Sequence, residues 1–249
     1  MHPHTDFAHR YWMAALTCGD MVVDATAGNG YDTAAIALGL GNAGGGTLLA
    51  CDVQRSALDV AMPRVREALA AQGWRILSDS GTSPAPSDGV VIDEWVAHPS
   101  QATLSAEGSI APCTGQLRVR WLHGSHVPLL ASLAAMSTRL VVFNLGYLPG
   151  GDKRITTQAE STLEAVQCAQ RTVVPGGAVS VTLYPGHKAG QLEADTLLEM
   201  AQELPQPTWS VYHTRWLNQK ARKTRLPSPE LLLLQRIHPD PLDEHRSIV

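Results

Sequence analysis

The chain has 249 residues, 44% of them hydrophobic and 17% charged, which is an ordinary globular mixture with enough apolar material for a sizeable core. A formal charge of −4 excludes a nucleic-acid binder that works through bulk positive charge. No apolar run approaches the roughly 18 residues that a membrane span requires. In chain order, Ala8 to Leu16 is helix-like, and Met21-Val22-Val23-Asp24-Ala25 is a short apolar strand that ends in the turn Gly28-Asn29-Gly30. Asp32 to Leu40 reads as Ala-rich helix, Thr47 to Cys51 as a second strand stopping at Asp52, and Ser56 to Ala71 as a helix containing Pro63. The opening pattern is therefore β-α-β-α.

Residues 78 to 116 break the alternation: they are rich in Ser, Pro, Gly and Thr, with one compact apolar run, Val90-Val91-Ile92. A structureless stretch of that length is rare inside a domain, so it is expected to be an acidic, low-order surface insertion in a single domain spanning 1–249. Its removal is expected to spare the fold. Alternation resumes with Leu117 to Leu122, a helix around Pro128 to Met136, the buried-type strand Leu140 to Phe143, and helix from Thr156 to Val173. Ala178 to Leu183, Gln191 to Leu204, Trp209 to Trp216 and Leu231 to Arg236 follow as strand, helix, strand, strand. About seven strands, the last two joined without a helix, predict an α/β doubly wound, Rossmann-like sheet whose last strand is antiparallel.

A glycine turn after the first strand lets backbone approach a ligand, and the next helix offers unpaired N–H groups. Asp52, ending the second strand, is placed to accept from both hydroxyls of a ribose. Thr33 occupies the third glycine position of the dinucleotide fingerprint, and the Gly-Lys-Ser/Thr of a phosphate loop is missing. S-adenosylmethionine fits better, because Asp24 in Asp24-Ala25-Thr26-Ala27-Gly28-Asn29-Gly30 suits a zwitterionic methionine end and not a pyrophosphate. A plain tight turn is the competing reading of the glycines alone.

Asp24 to Thr33, Phe143-Asn144-Leu145-Gly146-Tyr147-Leu148-Pro149-Gly150-Gly151-Asp152-Lys153, and Tyr184-Pro185-Gly186-His187 together resemble the YtqB/MnmM-like family, also catalogued as "putative rRNA methylases". The resemblance covers nearly the whole chain apart from 78–116 and the ends, and the eleven-residue block from Phe143 is its most specific part. It implies a class I S-adenosylmethionine-dependent methyltransferase that N-methylates the 5-aminomethyl group of (2-thio)uridine at the tRNA wobble position. It further implies Asn29, Asp32, Asp52 and Gln54, with Ser125 and His126, as cofactor ligands beside Asp24, Thr26, Gly28 and Gly30 of the turn. The histidines at 123 and 126 also read as half a metal site, but no cysteine or carboxylate is spaced to complete it, and no metal is expected.

Methyl transfer from a sulfonium is an in-line displacement, so the protein must place a nucleophile that it need not supply. Asn144 to Tyr147 has the N-x-x-Y spacing of the N-P-P-Y loop of amino-group methyltransferases, in which the Asn oxygen accepts from the amine and the aromatic ring stacks on the base. Asn144 and Tyr147 take those roles by analogy, with Leu145-Gly146 in place of Pro-Pro. Asp152 is a candidate proton acceptor, or else a carboxylate answering the next helix's dipole. Lys153 and His187 are candidate substrate contacts, and His187 alternatively caps its turn.

The acidity is unevenly spread. No Lys or Arg lies between Ile76 and Leu117, while Asp79, Asp88, Asp93, Glu94 and Glu107 give that stretch −5 and leave the remainder at +1. Arg215, Lys220, Arg222, Lys223 and Arg225 fall within 11 residues, with no acid between Leu204 and Pro229. Near Tyr212 and Trp216, they form a candidate tRNA-binding loop, with an ordinary solvated loop as the alternative. Leu217-Asn218-Gln219 resembles a family segment, which adds Asn218 and Gln219 to Arg222 as substrate contacts. The expected partner is a tRNA anticodon stem-loop, with no membrane; a homodimer stays open. Methylation of rRNA or a small amine, and a non-catalytic cofactor-binding assembly factor, are the alternatives. The beginning of the chain lacks the basic and apolar regions of a signal peptide, so a soluble, intracellular and by default cytoplasmic protein is expected, with chloroplast or mitochondrion open. Cys18, Cys51, Cys113 and Cys168 lie far apart without paired spacing, which speaks against a disulfide framework.

Overall fold

Strand-length apolar blocks alternating with amphipathic helices must bury both faces of a sheet, and a layer of helices on each side does so. The computed structural model describes residues 3–78, 90–99, 115–148, 150, 156–218 and 228–238. In chain order the elements are α1 (Pro3–Ala15), β1 (Met21–Asp24), α2 (Tyr31–Asn42), β2 (Gly46–Asp52), α3 (Arg55–Ala71), β3 (Trp74–Ser78), β4 (Val90–Pro99) and β5 (Leu117–His123). They continue as α4 (His126–Ser132), β6 (Thr138–Asn144), α5 (Ala159–Thr172), β7 (Val173–Leu183), α6 (Lys188–Gln202), β8 (Trp209–Thr214) and β9 (Glu230–Arg236). The strands form one sheet in the order β3-β4-β5-β2-β1-β6-β7-β9-β8.

Five central strands, β5-β2-β1-β6-β7, are parallel, and β9 runs antiparallel to both β7 and β8. This is the expected doubly wound, class I methyltransferase arrangement, with nine strands where about seven were expected, β3 and β4 being the additional ones. Alternate residues divide the core in two, as a period of two demands. Val22, Leu48, Leu140 and Val142 pack with residues of α1, α2 and α3. Val23, Leu49, Val141 and Phe143 pack with residues of α4, α5 and α6. The register sets Asp24 level with Ala50 and Val142, and Asp52 level with His123, so polar residues end neighbouring strands on one rim. That rim, where the chain winds away from β1 in both directions, is the place where such sheets bind ligands.

The packing of α2 against α3 decides one glycine. Gly30, with φ 79°, precedes α2, and a Cβ there would lie 2.7 Å from both Cα and Cβ of Ala61 in α3. Pro63 sits inside α3 on its exposed side, so the lost N–H leaves the Asp59 carbonyl without its helical donor where the helix is open to solvent.

The stretch 78–116 departs from expectation. Residues 79–89 and 100–114 lie outside the described set, but Val90–Pro99 is a ten-residue strand between β3 and β5, antiparallel to each. Trp95 and Ala97 of β4 are buried, and the Trp95 ring lies 5.3 Å from that of Trp121. Deleting 78–116 would therefore remove a sheet strand. Charge pairing conceals it in the sequence: buried Glu94 bonds Arg118, and its other oxygen lies 3.2 Å from Arg120 Nε, both arginines being on β5. The adjacent acids Asp93 and Glu94 break the apolar alternation by which β4 would be found alone, whereas the Leu-Arg-Val-Arg-Trp alternation of β5 remains visible. Cys51 and Cys168 are free thiols, whereas Cys18 is disulfide-bonded, so wide spacing along the chain did not keep every cysteine unpaired.

Candidate functional site

A cavity of about 720 Å³ opens at the carboxyl rim of the central strands. Thr26, Gly28, Asn29, Asp32, Asp52, Gln54, Ser125, His126, Asn144, Tyr147 and His187 line it, so most of the sequence-expected site converges in one place. Asp24 and Gly30 are not on its wall. Asp24 is fully buried and holds the turn together: Thr33 Oγ1 donates to its Oδ2 at 2.6 Å and the Thr26 N–H to its Oδ1 at 3.2 Å. Burial, with the nearby Asp32 charge, pushes its pKa up to about 7.

Asp52 ends β2 with each carboxylate oxygen accepting one backbone N–H at 2.8 Å, from Gly28 to Oδ2 and from Gln54 to Oδ1. A carboxylate has about four acceptor positions, so each oxygen keeps a lone pair for a diol. Burial raises its pKa, against the lowering effect of those two N–H groups. One glycine thus ties the first turn to the second strand, and Gly28 itself sits at φ 50°.

His126 supplies the second mark of a built site. Its Nδ1 lies 3.2 Å from the Ala25 carbonyl, which only accepts, so in the neutral ring the hydrogen is on Nδ1 and Nε2 is an acceptor. Nε2 is buried and has no partner among the described residues. Burial lowers the His126 pKa, which keeps the ring neutral and that acceptor available for a ligand donor such as an exocyclic amino group. Ser125 caps α4 by accepting from the Val127 N–H at 3.3 Å. Together, the diol acceptor at Asp52 and the orphaned acceptor at His126 fit the ribose and adenine of S-adenosylmethionine. The wall bears Asp32 and Asp52 and, among the described residues, no Lys or Arg, which suits a sulfonium and an ammonium.

At the end of β6, the Asn144 N–H donates to Thr26 Oγ1 at 2.7 Å and its side-chain Nδ2 donates to Asp32 Oδ2 at 2.8 Å. Two residues that the sequence reading missed complete this corner. His9 of α1 places Nε2 2.6 Å from Asp32 Oδ1, and Tyr184 hydrogen-bonds the Asn144 side chain. Burial pushes the Tyr184 hydroxyl up to about 12, so it stays protonated. Tyr184 stands in the quoted Tyr-Pro-Gly-His block, so its position was visible although its partner was not; nothing local marks His9.

The loop after Asn144 is latched from α6. The Gly146 N–H donates to Thr157 Oγ1 at 2.9 Å, that hydroxyl donates to Glu193 Oε2 at 2.9 Å, and Thr162 donates to Glu193 Oε1 at 2.6 Å. Tyr147, 39% exposed, pairs with Thr156 in an isolated antiparallel bridge. His187 caps α6, its Nδ1 accepting from the Gly190 N–H at 3.0 Å. It also lines the cavity, and with Nδ1 accepting, the neutral ring carries its hydrogen on Nε2, which suits a donor to substrate and not a base. Asp152, Lys153, Gln219 and Arg222 lie outside the described residues. Asn218 is exposed and off the cavity wall. Arg215 is not clear of acids: its Nε lies 2.9 Å from Glu230, which also takes His213 at 2.6 Å.

Among the described residues, no group of three or more His, Cys, Asp or Glu side chains is arranged to hold a metal ion, and no helix is long and apolar enough to cross a membrane.

Comparison with known proteins gives this site its context. Over 221 residues the chain is 28% identical to the chloroplastic tRNA (mnm(5)s(2)U34)-methyltransferase of Arabidopsis thaliana, covering 86% of this chain and 64% of that relative's length. A solved structure from Clostridium thermocellum, described as a "putative rRNA-methylase", superposes with a TM-score of 0.68 at 25% identity, over 95% of this chain and 99% of the other. A "putative methyltransferase" of Streptococcus mutans, solved in complex with SAH, has the same fold at 20% identity, with a TM-score of 0.63 over 95% and 99% of the two chains. The family model described as "Putative rRNA methylase" matches residues 100–228, slightly over half of the sequence, and the chain belongs to that family.

Proposed function

We propose that the chain is an S-adenosylmethionine-dependent N-methyltransferase that converts the 5-aminomethyl group of (2-thio)uridine at the tRNA wobble position to 5-methylaminomethyl. The observation that carries this reading is the placing of Asn144 and Tyr147 on the wall of the same cavity as Asp52 and His126. The name of the Arabidopsis relative supports the choice of substrate, although this chain spans only 64% of that protein. When bound, the cofactor supplies a methyl group activated by its sulfonium.

The chain's own residues do the rest. Asp52 and His126 hold the nucleoside end, and the carboxylate-lined wall favours a cationic centre. An alkyl amine is protonated at neutral pH, so it must shed a proton before it attacks. Removal from water beside a sulfonium disfavours the ammonium and promotes that loss. Asn144 accepts from the amine and aims its lone pair, and the half-exposed ring of Tyr147 offers a stacking face at the cavity mouth. Asp152 is the proposed proton acceptor; Lys153, His187, Asn218, Gln219 and Arg222 are proposed contacts to the tRNA.

The test is mass spectrometry of nucleosides from hypomodified tRNA incubated with the protein and S-adenosylmethionine. A gain of one methylene on 5-aminomethyluridine is expected. Methylation confined to rRNA or to small amines would replace the substrate assignment, and tight cofactor binding without transfer to any fraction would replace the enzyme assignment.

A further inference from the structure

The corner around Asn144 is supported from an element that contributes nothing to the cavity wall. Helix α1 lies against α2 so closely that a Cβ on Gly39 would collide with Met13 Sδ. Trp12 is buried and donates from Nε1 to Ser180 Oγ of β7 at 3.0 Å, which fixes the helix to the sheet. The His9 ring packs 4.9 Å from Trp12, with its side chain only 15% exposed, and meets Asp32 at 2.6 Å. One turn earlier, the His4 ring stands edge-on to Tyr184 at 6.1 Å. Helix α1 therefore reaches both partners of the Asn144 side chain.

The two ends of an amide are nearly alike in shape and opposite in chemistry, and only their partners decide which end points where. A carboxylate oxygen accepts, so the Asn144 end facing Asp32 is the NH2 group; that group also donates to the Tyr184 hydroxyl oxygen, whose pKa the bond lowers, and Oδ1 is left for another donor. Two donors from different elements, the His9 ring and the Asn144 amide, take one oxygen each and leave Asp32 as acceptor on both. His9 is absent from the cavity wall, so whatever it does passes through Asp32.

We propose that His9 is a positioning residue for methyl transfer: by donating to Asp32 it fixes which end of the Asn144 amide faces the acceptor nitrogen. This rests on the reading above, in which an amine meets Asn144. The general reason for its effect is that a reacting lone pair must be aligned as well as near, and supporting residues supply that alignment.

The experiment compares the full chain with His9→Leu and His9→Gln, the second of which keeps an N–H donor. kcat and KM are measured on hypomodified tRNA, cofactor affinity by calorimetry, and the side-chain NH2 signals of Asn144 by 1H–15N spectroscopy. Removing a donor of this kind is expected to lower kcat about 10- to 100-fold in His9→Leu, with KM and cofactor affinity within about threefold of the parent. His9→Gln is expected to recover most of the lost kcat. The Asn144 NH2 signals should exchange slowly with solvent in the parent and His9→Gln and rapidly in His9→Leu. An unchanged kcat in His9→Leu, or equal losses in both variants, would overturn the proposal, as would equal exchange of the Asn144 signals in all three proteins. Lack of tRNA methylation by the parent would overturn the substrate reading instead, and the exchange comparison would still decide what His9 does to Asn144. Should His9→Leu fail to fold, His9→Ala takes its place.

Discussion

Carboxylates at the cavity rim and beside β5 are treated in opposite ways. At the cavity, Asp24, Asp32 and Asp52 are held by backbone N–H groups, a threonine hydroxyl, the Asn144 amide and an imidazole. At the β4–β5 edge, Glu94 is held by the guanidinium groups of Arg118 and Arg120. The first arrangement satisfies hydrogen bonds while leaving the local charge negative; the second cancels the charge where it stands. A site intended for a cation needs the former and a structural strand is served by the latter, so the donors distinguish the acids of the cavity from Glu94.

The largest test of that contrast is at the reacting corner. Asn144→Ala should lower kcat by about 10²- to 10³-fold with the cofactor still bound, checked by single-turnover kinetics beside calorimetry. Asp52→Ala should weaken S-adenosylmethionine binding by about 100-fold, because the N–H groups of Gly28 and Gln54 lose their acceptor together with the ligand's hydroxyls. Glu94→Ala should behave in the opposite way. Stability should fall by about 2 kcal/mol in urea titration, a figure below that of a fully buried pair because Arg118 is 37% exposed, while cofactor affinity stays as in the parent. A loss of cofactor affinity in Glu94→Ala would break the distinction between the two acid sets.

A further test concerns pH. The pKa of Asp24 is higher in the folded state, about 7, than the usual 3.8 of an unfolded chain, so the folded protein keeps a proton that the unfolded one releases. Between those two values Asp24 weakens the fold as pH rises, and above the upper one its effect is constant. Relative to Asp24→Asn, the parent should therefore lose stability from pH 4 to pH 7 and run level beyond, as denaturant titrations at several pH values would show. The smallest effect lies in the basic loop. Neutralising Lys220, Arg222 and Lys223 together should weaken tRNA binding and reduce its salt slope by at most about 2 to 3. Arg215→Gln, which removes a partner of Glu230, should leave that slope nearly unchanged.

What could be read from the sequence follows the same division. The alternation of the central strands with helices and the placing of Gly28, Asp52 and Asn144 were legible because each rests on a local pattern: a period, a turn, a strand end, a short motif. Strand β4 was not, because Asp93 and Glu94 interrupt its apolar run and the partners of Glu94 stand far along the chain on β5. His9 was not legible either, since its meaning comes from Asp32, 23 residues on and on another helix. The expectation that acidity resided in a dispensable loop failed for the part that pairs with arginine.

Gly30 ties the two halves of the cavity together mechanically. Helix α3, whose Ala61 presses on that glycine, begins just after Gln54, and Gln54 both lines the cavity and donates its N–H to Asp52. A single methyl group added at residue 30 would push on a rigid rod whose other end carries the nucleoside contacts. The turn and the second strand therefore behave as one lever, and volume at residue 30 should govern affinity at residue 52 without any change in the residues that touch the ligand.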